Sequence, residues 1–197
     1  MSGRGTHHAG GAVAGLTVAG AALAAGASPW PALAVAVTAT ATGGGRLSPD
    51  VDQYRAWRRL DRWLPDELLG AGGPLQHRGI SHWWGTALAL PVVLAGLLAL
   101  VVPVGWVWPV PAGVAAGWAS HLALDYVFGA TVRTPEGCVI VRAGVPAAPW
   151  WSHRGVHWPS GGTRSKVAGC LLTVTAVVQV VLIVHWAGVP ALSGGLP

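Results

Sequence analysis

Histidines and aspartates recur in this chain at spacings that suit a metal ion. His7-His8 lies near the start, followed by Pro49-Asp50-Val51-Asp52, His77-Arg78-Gly79-Ile80-Ser81-His82 and His121-Leu122-Ala123-Leu124-Asp125. Neutral imidazole and carboxylate are ligands for Zn²⁺, and mixed His/Asp sets also suit Mn²⁺ or Fe. His121 and Asp125 are four residues apart and share a helix face.

Each cluster alone has a plainer reading. His121 and Asp125 could hydrogen-bond helices together, and His77 and His82 could form a basic patch with Arg78. Asp50 and Asp52 could cap a following helix, and His7 could be a solvated terminus. Their recurrence in four segments favours one or two divalent ions, Zn²⁺ first, held by His7, Asp50, Asp52, His77, His82, His121 and Asp125. Paired ions about 3.5–4 Å apart serve phosphate-ester hydrolysis, and a single ion with supporting carboxylates is the smaller version. In that chemistry a metal-activated water attacks, Asp52 accepts its proton and Arg78 steadies the anion. Ser81 is expected to cap the next helix, so that His82 opens it beside free backbone N–H groups.

Apolar segments must position these groups. Apolar types make up 52% of the 197 residues and charged types 10%, with a mean hydropathy of +0.52. An ordinary soluble domain carries roughly 25% charged residues. A disordered chain, a coiled coil and a disulfide scaffold are excluded, and a soluble enzyme is disfavoured. Apolar blocks cover residues 9–27, 30–42, 83–102, 112–128 and 167–189. A spanning helix needs about 20 residues. The first, third and fifth blocks meet that length, and the fourth nearly does. The second has 13 residues and is expected as a tilted or re-entrant half-helix against Gly11 and Gly15 of the first. Gly43-Gly44-Gly45 ends it, and Pro103 to Pro111 forms an apolar hairpin. The expected fold is all-α. It is a polytopic membrane helical bundle of four to five transmembrane helices plus a cytoplasmic interfacial helix, in a single domain over 1–197.

Five crossings place segments 1–8, 43–82 and 129–166 on one side with all 12 Lys/Arg, six of the seven acids and seven of the eight His on or beside it. The positive-inside rule makes that side cytoplasmic. The chain is therefore expected in the plasma (inner) membrane, multi-pass, with the site facing the cytoplasm. A signal peptide over residues 1–27 is the rival, but its apolar block is long for one. Cys138 and Cys170 are unclustered and imply no disulfide or cysteine-rich metal site. Residues 54–69 interleave Arg55, Arg58, Arg59 and Arg62 with Trp57, Leu60, Trp63 and Leu64. This reads as a helix lying on anionic lipid, or as simple anchoring. DNA binding is disfavoured because the span is short and membrane-bound.

The ordered motifs resemble a bacterial family of membrane-bound, metal-dependent hydrolases, the LexA-binding, inner-membrane-associated hydrolases. The matching residues are Thr6-His7, Pro49-Asp50-Val51-Asp52, His77 to His82, and Ser120-His121 through Asp125, with Gly144-Val145-Pro146 and Trp150-Trp151 downstream. The likeness runs from about residue 6 to 170, and the His-Arg-Gly motif is its most specific part. Gln53 replaces the family's usual His and is a poor substitute ligand; Ser81 replaces Thr, and Trp83 stands where a small polar residue is common. His153 to His157 echoes His-Arg-Gly but matches no family ligand set and reads as a surface loop. The set also resembles, more distantly, zinc-dependent phospholipase C and its related nucleases.

The resemblance implies a metal-dependent hydrolase acting on a phosphate ester or lipid-like substrate at the cytoplasmic face, with membrane lipids as partners. The alternatives are a small transporter with His121 and Asp125 as a relay, and a non-catalytic membrane partner protein. Oligomeric state has no signature in the sequence.

Overall fold

The computed structural model describes residues 3–50, 63, 65, 80–133, 139–142, 145–146, 153–154, 158–159 and 162–193. The expected interfacial helix over 54–69 lies outside the described residues, apart from Trp63 and Pro65.

Helices dominate. Helix α1 spans Gly3–Ala24 and α2 spans Pro29–Gly44. The turn between them places Gly26 at φ 88°, a backbone region that favours glycine. Pro29 then opens α2, where its missing N–H leaves no helical bond unmade. The 3₁₀ turn Ile80–His82 precedes α3, Trp84–Leu98, and the 3₁₀ turn Val104–Trp106 leads to α4, Pro109–Val127. Helix α5, Thr163–Ser193, follows a region of short strands. There β1 (Phe128–Arg133) lies between β2 (Val139–Arg142, antiparallel) and β5 (Trp158–Pro159, parallel), and β3 (Val145–Pro146) pairs with β4 (His153–Arg154). The described chain is predominantly helical, as expected, and these short strand pairs are an addition to the all-α reading. His153 and Arg154, read as loop, sit in one of them.

Glycine and alanine set the spacing of α1, α2 and α4. A side chain added at Gly11 would meet the Ala39 carbonyl oxygen at 2.6 Å, and one at Gly15 the Ala39 Cβ at 2.6 Å. The contact expected between the first two blocks is therefore present, and α2 is a four-turn helix. The helix ends within the expected glycine run, with Gly45 as its C-cap and Gly43 and Gly44 buried in its last turn. Close backbone approach is what small residues permit between membrane helices. Leucine and valine do the packing elsewhere: Ala87, Leu90 and Leu94 of α3 meet Val114, Trp118 and Leu122 of α4.

Among the described residues, one stretch is both long and apolar enough to cross a membrane, Thr163–His185 of α5. The helices of the first and third blocks do not pass both tests together. Helix α3 has 15 residues, about 22 Å at 1.5 Å per residue, against a hydrocarbon core of about 30 Å. Helix α1 is long enough, but Gly, Thr and two histidines dilute its apolarity. The outer faces are apolar all the same. Leu88 and Val92 of α3 are over 70% exposed, and Leu171, Val174 and Val181 of α5 are exposed as well. So many large exposed apolar groups suit lipid better than water.

Candidate metal centre

Four chain segments bring one end of the bundle together. The first turns of α1 supply His7, the residues after α2 supply Asp50, the turn before α3 supplies His82, and the last turns of α4 supply His121 and Asp125. His82 and His121 are 0% exposed and Asp125 2%. Their polar atoms face one another. Asp125 Oδ1 lies 3.5 Å from His7 Nε2, and Asp125 Oδ2 lies 3.3 Å from His82 Nε2 and 3.6 Å from His121 Nε2. Asp50 Oδ1 lies 3.3 Å from His82 Nε2 and 3.9 Å from His121 Nε2. The His7 and His121 rings stack with centroids 4.0 Å apart.

Hydrogen bonding fixes how His121 is presented. Its Nδ1 lies 2.7 Å from the carbonyl oxygen of Gly43, which only accepts, so Nδ1 carries the proton. In the neutral ring Nε2 then holds a lone pair. That atom is buried without a hydrogen-bond partner and faces two carboxylates. An imidazole oriented through its other nitrogen in this way is the usual arrangement of a metal-ligating histidine. The separations also fit a cation: two ligands bonded at 2.0–2.2 Å in a tetrahedral shell lie about 3.3–3.6 Å apart. Two ligand sets share His121, namely His7, His121 and Asp125, and Asp50, His82 and His121, with the ligand atoms of each set within 4.8 Å of one another.

Of the residues expected at the site, His7, Asp50, His82, His121 and Asp125 are therefore together. Asp52, His77 and Arg78, with Gln53, lie outside the described residues. One local expectation is corrected. Ser81 does not cap α3: the helix starts after Trp83, which makes no side-chain cap bond, and His82 belongs to the preceding 3₁₀ turn. Ser81 Oγ instead lies 3.0 Å from His82 Nδ1. The helix thus starts two residues later than expected, at Trp84.

Two supporting groups escaped the sequence. The Gly43 carbonyl is backbone and has no residue signature. Trp118 donates from Nε1 to the Ser81 carbonyl at 2.8 Å, tying the His82 turn to α4. Its signal was position: it stands three residues before His121, on the same helix face. Trp118→Phe keeps most of the packing and removes that bond. We expect about 1 kcal/mol less stability and divalent-ion affinity lower by about tenfold, read by thermal unfolding and metal titration.

The charges at the rim are coupled. Burial pushes the His82 imidazole down, but the carboxylates of Asp125 and Asp50 beside it outweigh that, so its pKa is raised. Burial pushes the Asp50 carboxyl up, but His82 and His121 outweigh that and hold it at about 2. Without an ion, His82 thus contributes stability that is full below its unfolded pKa and is lost as pH rises through the raised folded value. Asp50 contributes stability that is present above its unfolded pKa and is lost as pH falls towards about 2. An ion must displace the His82 proton. The rise in Tm on adding Zn²⁺ should therefore shrink steadily from about pH 8 to about pH 5.5. An unchanged rise across that range would remove His82 from the ligand set.

No curated protein and no solved structure matches this chain. The model of one protein family matches residues 1–189, covering every segment of the His/Asp cluster and the five described helices but the last turn of α5. The chain accordingly belongs to the YdjM inner membrane protein family.

Proposed function

We propose that this protein is a membrane-bound, metal-dependent hydrolase of phosphate esters, multi-pass, with its site at the cytoplasmic face. The observation that carries the reading is His121, held by Gly43 so that a buried Nε2 lone pair faces Asp50 and Asp125. A buried cluster of three imidazoles and two carboxylates at one end of an apolar bundle is costly unless it serves a purpose. Orientation follows from the cationic segments that flank the same helix ends.

His7, His82, His121, Asp50 and Asp125 would hold a divalent cation, Zn²⁺ foremost, which when bound supplies Lewis acidity to water and to the phosphoryl group. The chain's own groups then divide the work. Asp125 is sealed inside and fixes His7, His82 and His121. The Asp50 side chain is 22% exposed and meets both His82 and the outside, so it can exchange protons with solvent. Asp52, two residues on, is the second carboxylate for accepting a proton from water, and Arg78, four residues before His82, is the cation for the developing phosphoryl charge. In hydrolysis the water oxygen bonds to phosphorus, the ester P–O bond breaks, and the alcohol leaves with a proton.

The test is elemental analysis of the detergent-purified protein, followed by assay on bis(p-nitrophenyl) phosphate and on long-chain phospholipid with and without chelator. Bound Zn²⁺, Mn²⁺ or Fe with chelator-sensitive turnover supports the reading. Bound metal without turnover on any phosphate ester favours a transport role for the His121 and Asp125 pair, and absence of metal ends the metal reading altogether.

A further inference from the structure

An apolar groove runs along α1 between α2 and α5. Its wider part has a volume of about 620 Å³, begins at His8 and Thr40, and continues past Leu16, Ala36 and Val180. A narrower part of about 240 Å³ shares Leu16, Ala36 and Val180 and reaches Leu23, Pro29 and Ile183. The two parts adjoin along α1, with Leu16, Ala36 and Val180 as common walls. Helix α5 meets α1 where Gln179 Nε2 donates to Thr17 Oγ1 at 2.8 Å and where Ile183 passes Gly20. Ala12, Ala36 and Ala176 are among the residues that line the wider part, and their short side chains leave the space unfilled.

Three properties identify what it would hold. From His8 to Leu23 the groove follows 15 residues of α1, about 22 Å at helical rise, which exceeds the roughly 15 Å depth of one leaflet's hydrocarbon. Its polar side chains, His8 and Thr40, both lie at one end, and the Thr40 hydroxyl already donates to the Ala36 carbonyl at 2.8 Å. That end is the end of the metal centre: His8 follows His7, and the Gly44 backbone packs on the His8 backbone. The rest is aliphatic. A long thin amphiphile with its polar head at the cluster end matches the groove in length, polarity and direction.

We propose that this groove seats one acyl chain of the substrate, which makes the substrate a long-chain lipid phosphate ester with its headgroup beside His8. The proposal rests on the hydrolase reading for the word substrate, and on the groove alone for the lipid.

The full-length protein is reconstituted in vesicles of phosphatidylethanolamine and phosphatidylglycerol carrying a phosphatidylethanolamine with a diazirine at the end of one chain. Cross-links are mapped by mass spectrometry. Labelling at Leu16, Val180 and Ile183 is expected to exceed that at Leu88 and Val92 of α3 by about tenfold, and Ala176→Phe or, at the rim, Val181→Phe should reduce it about tenfold. Both variants should keep the metal content of the parent, with unchanged turnover of bis(p-nitrophenyl) phosphate and a raised KM for long-chain phospholipid. Equal labelling of groove and α3 face means an ordinary lipid annulus and overturns the proposal, as does full labelling in both variants. Groove-specific labelling without hydrolysis of any phosphate ester leaves the lipid seat standing and brings down the hydrolase reading. Hydrolysis with uniform labelling does the opposite.

Discussion

Asp125→Asn is expected to leave the purified protein essentially free of divalent metal while preserving its helical content. Asp125 lies within 3.6 Å of all three imidazoles of the cluster, His7, His82 and His121. Asparagine keeps the shape and one acceptor oxygen but removes the charge that offsets a dication in a buried site. Loss of an orienting partner alone lowers metal affinity by 10–100-fold, so loss of this central carboxylate should exceed about 100-fold. Asp125→Ala adds a structural penalty, of the order of 3 kcal/mol for a buried ionic partner removed. Metal-to-protein ratio after gel filtration is the measurement. A ratio equal to the parent's would show that Asp125 is a hydrogen-bonding residue and that any ion sits elsewhere.

Gly117→Ala should be nearly as damaging although it touches no ligand. A methyl group there would fall on the Thr42 hydroxyl, the Ala39 carbonyl and, at 2.9 Å, the Gly43 amide nitrogen. Two of those three are backbone and cannot rotate away, so α2 must move off α4. Overpacking typically costs about 1–3 kcal/mol, and the backbone contacts place this change at the upper end. The same displacement withdraws the Gly43 carbonyl from His121 Nδ1, so metal should be lost together with stability. Gly96→Ala in α3 is the matched control, because nothing lies within 4 Å of the added carbon. There alanine should be neutral or stabilising by up to about 1 kcal/mol. A Gly117→Ala protein with the parent's Tm and metal content would show that α2 and α4 are less closely coupled than the structure places them.

These two residues also show how far the sequence could be read. The i, i+4 spacing of His121 and Asp125 announced a shared helix face, and the one-sided charge pattern announced that distant ligands meet at one end of the bundle. Chemistry of side chains was thus visible. Gly117 was not, because a glycine inside an apolar run looks the same whether it lines a backbone contact or faces lipid. Gly43-Gly44-Gly45 was legible as the end of α2, but the use of the Gly43 carbonyl to orient a ligand was not. The start of α3 did not follow the capping preference of Ser81, whose hydroxyl meets the His82 ring instead. The strand pairs after Phe128 escaped because each is only two to six residues long.

The ligands described above begin at His7 and end at Asp125, and none comes from α5. A cation gripping them would act as a cross-link closing more than half of the polypeptide into nested loops. Closing loops of that size is an entropic toll that rises only with the logarithm of length, yet it falls due before any distant contact can repay it. Newly made chains would then mature in step with the cell's supply of ion, and the final helix could settle last, against a bundle already stapled shut.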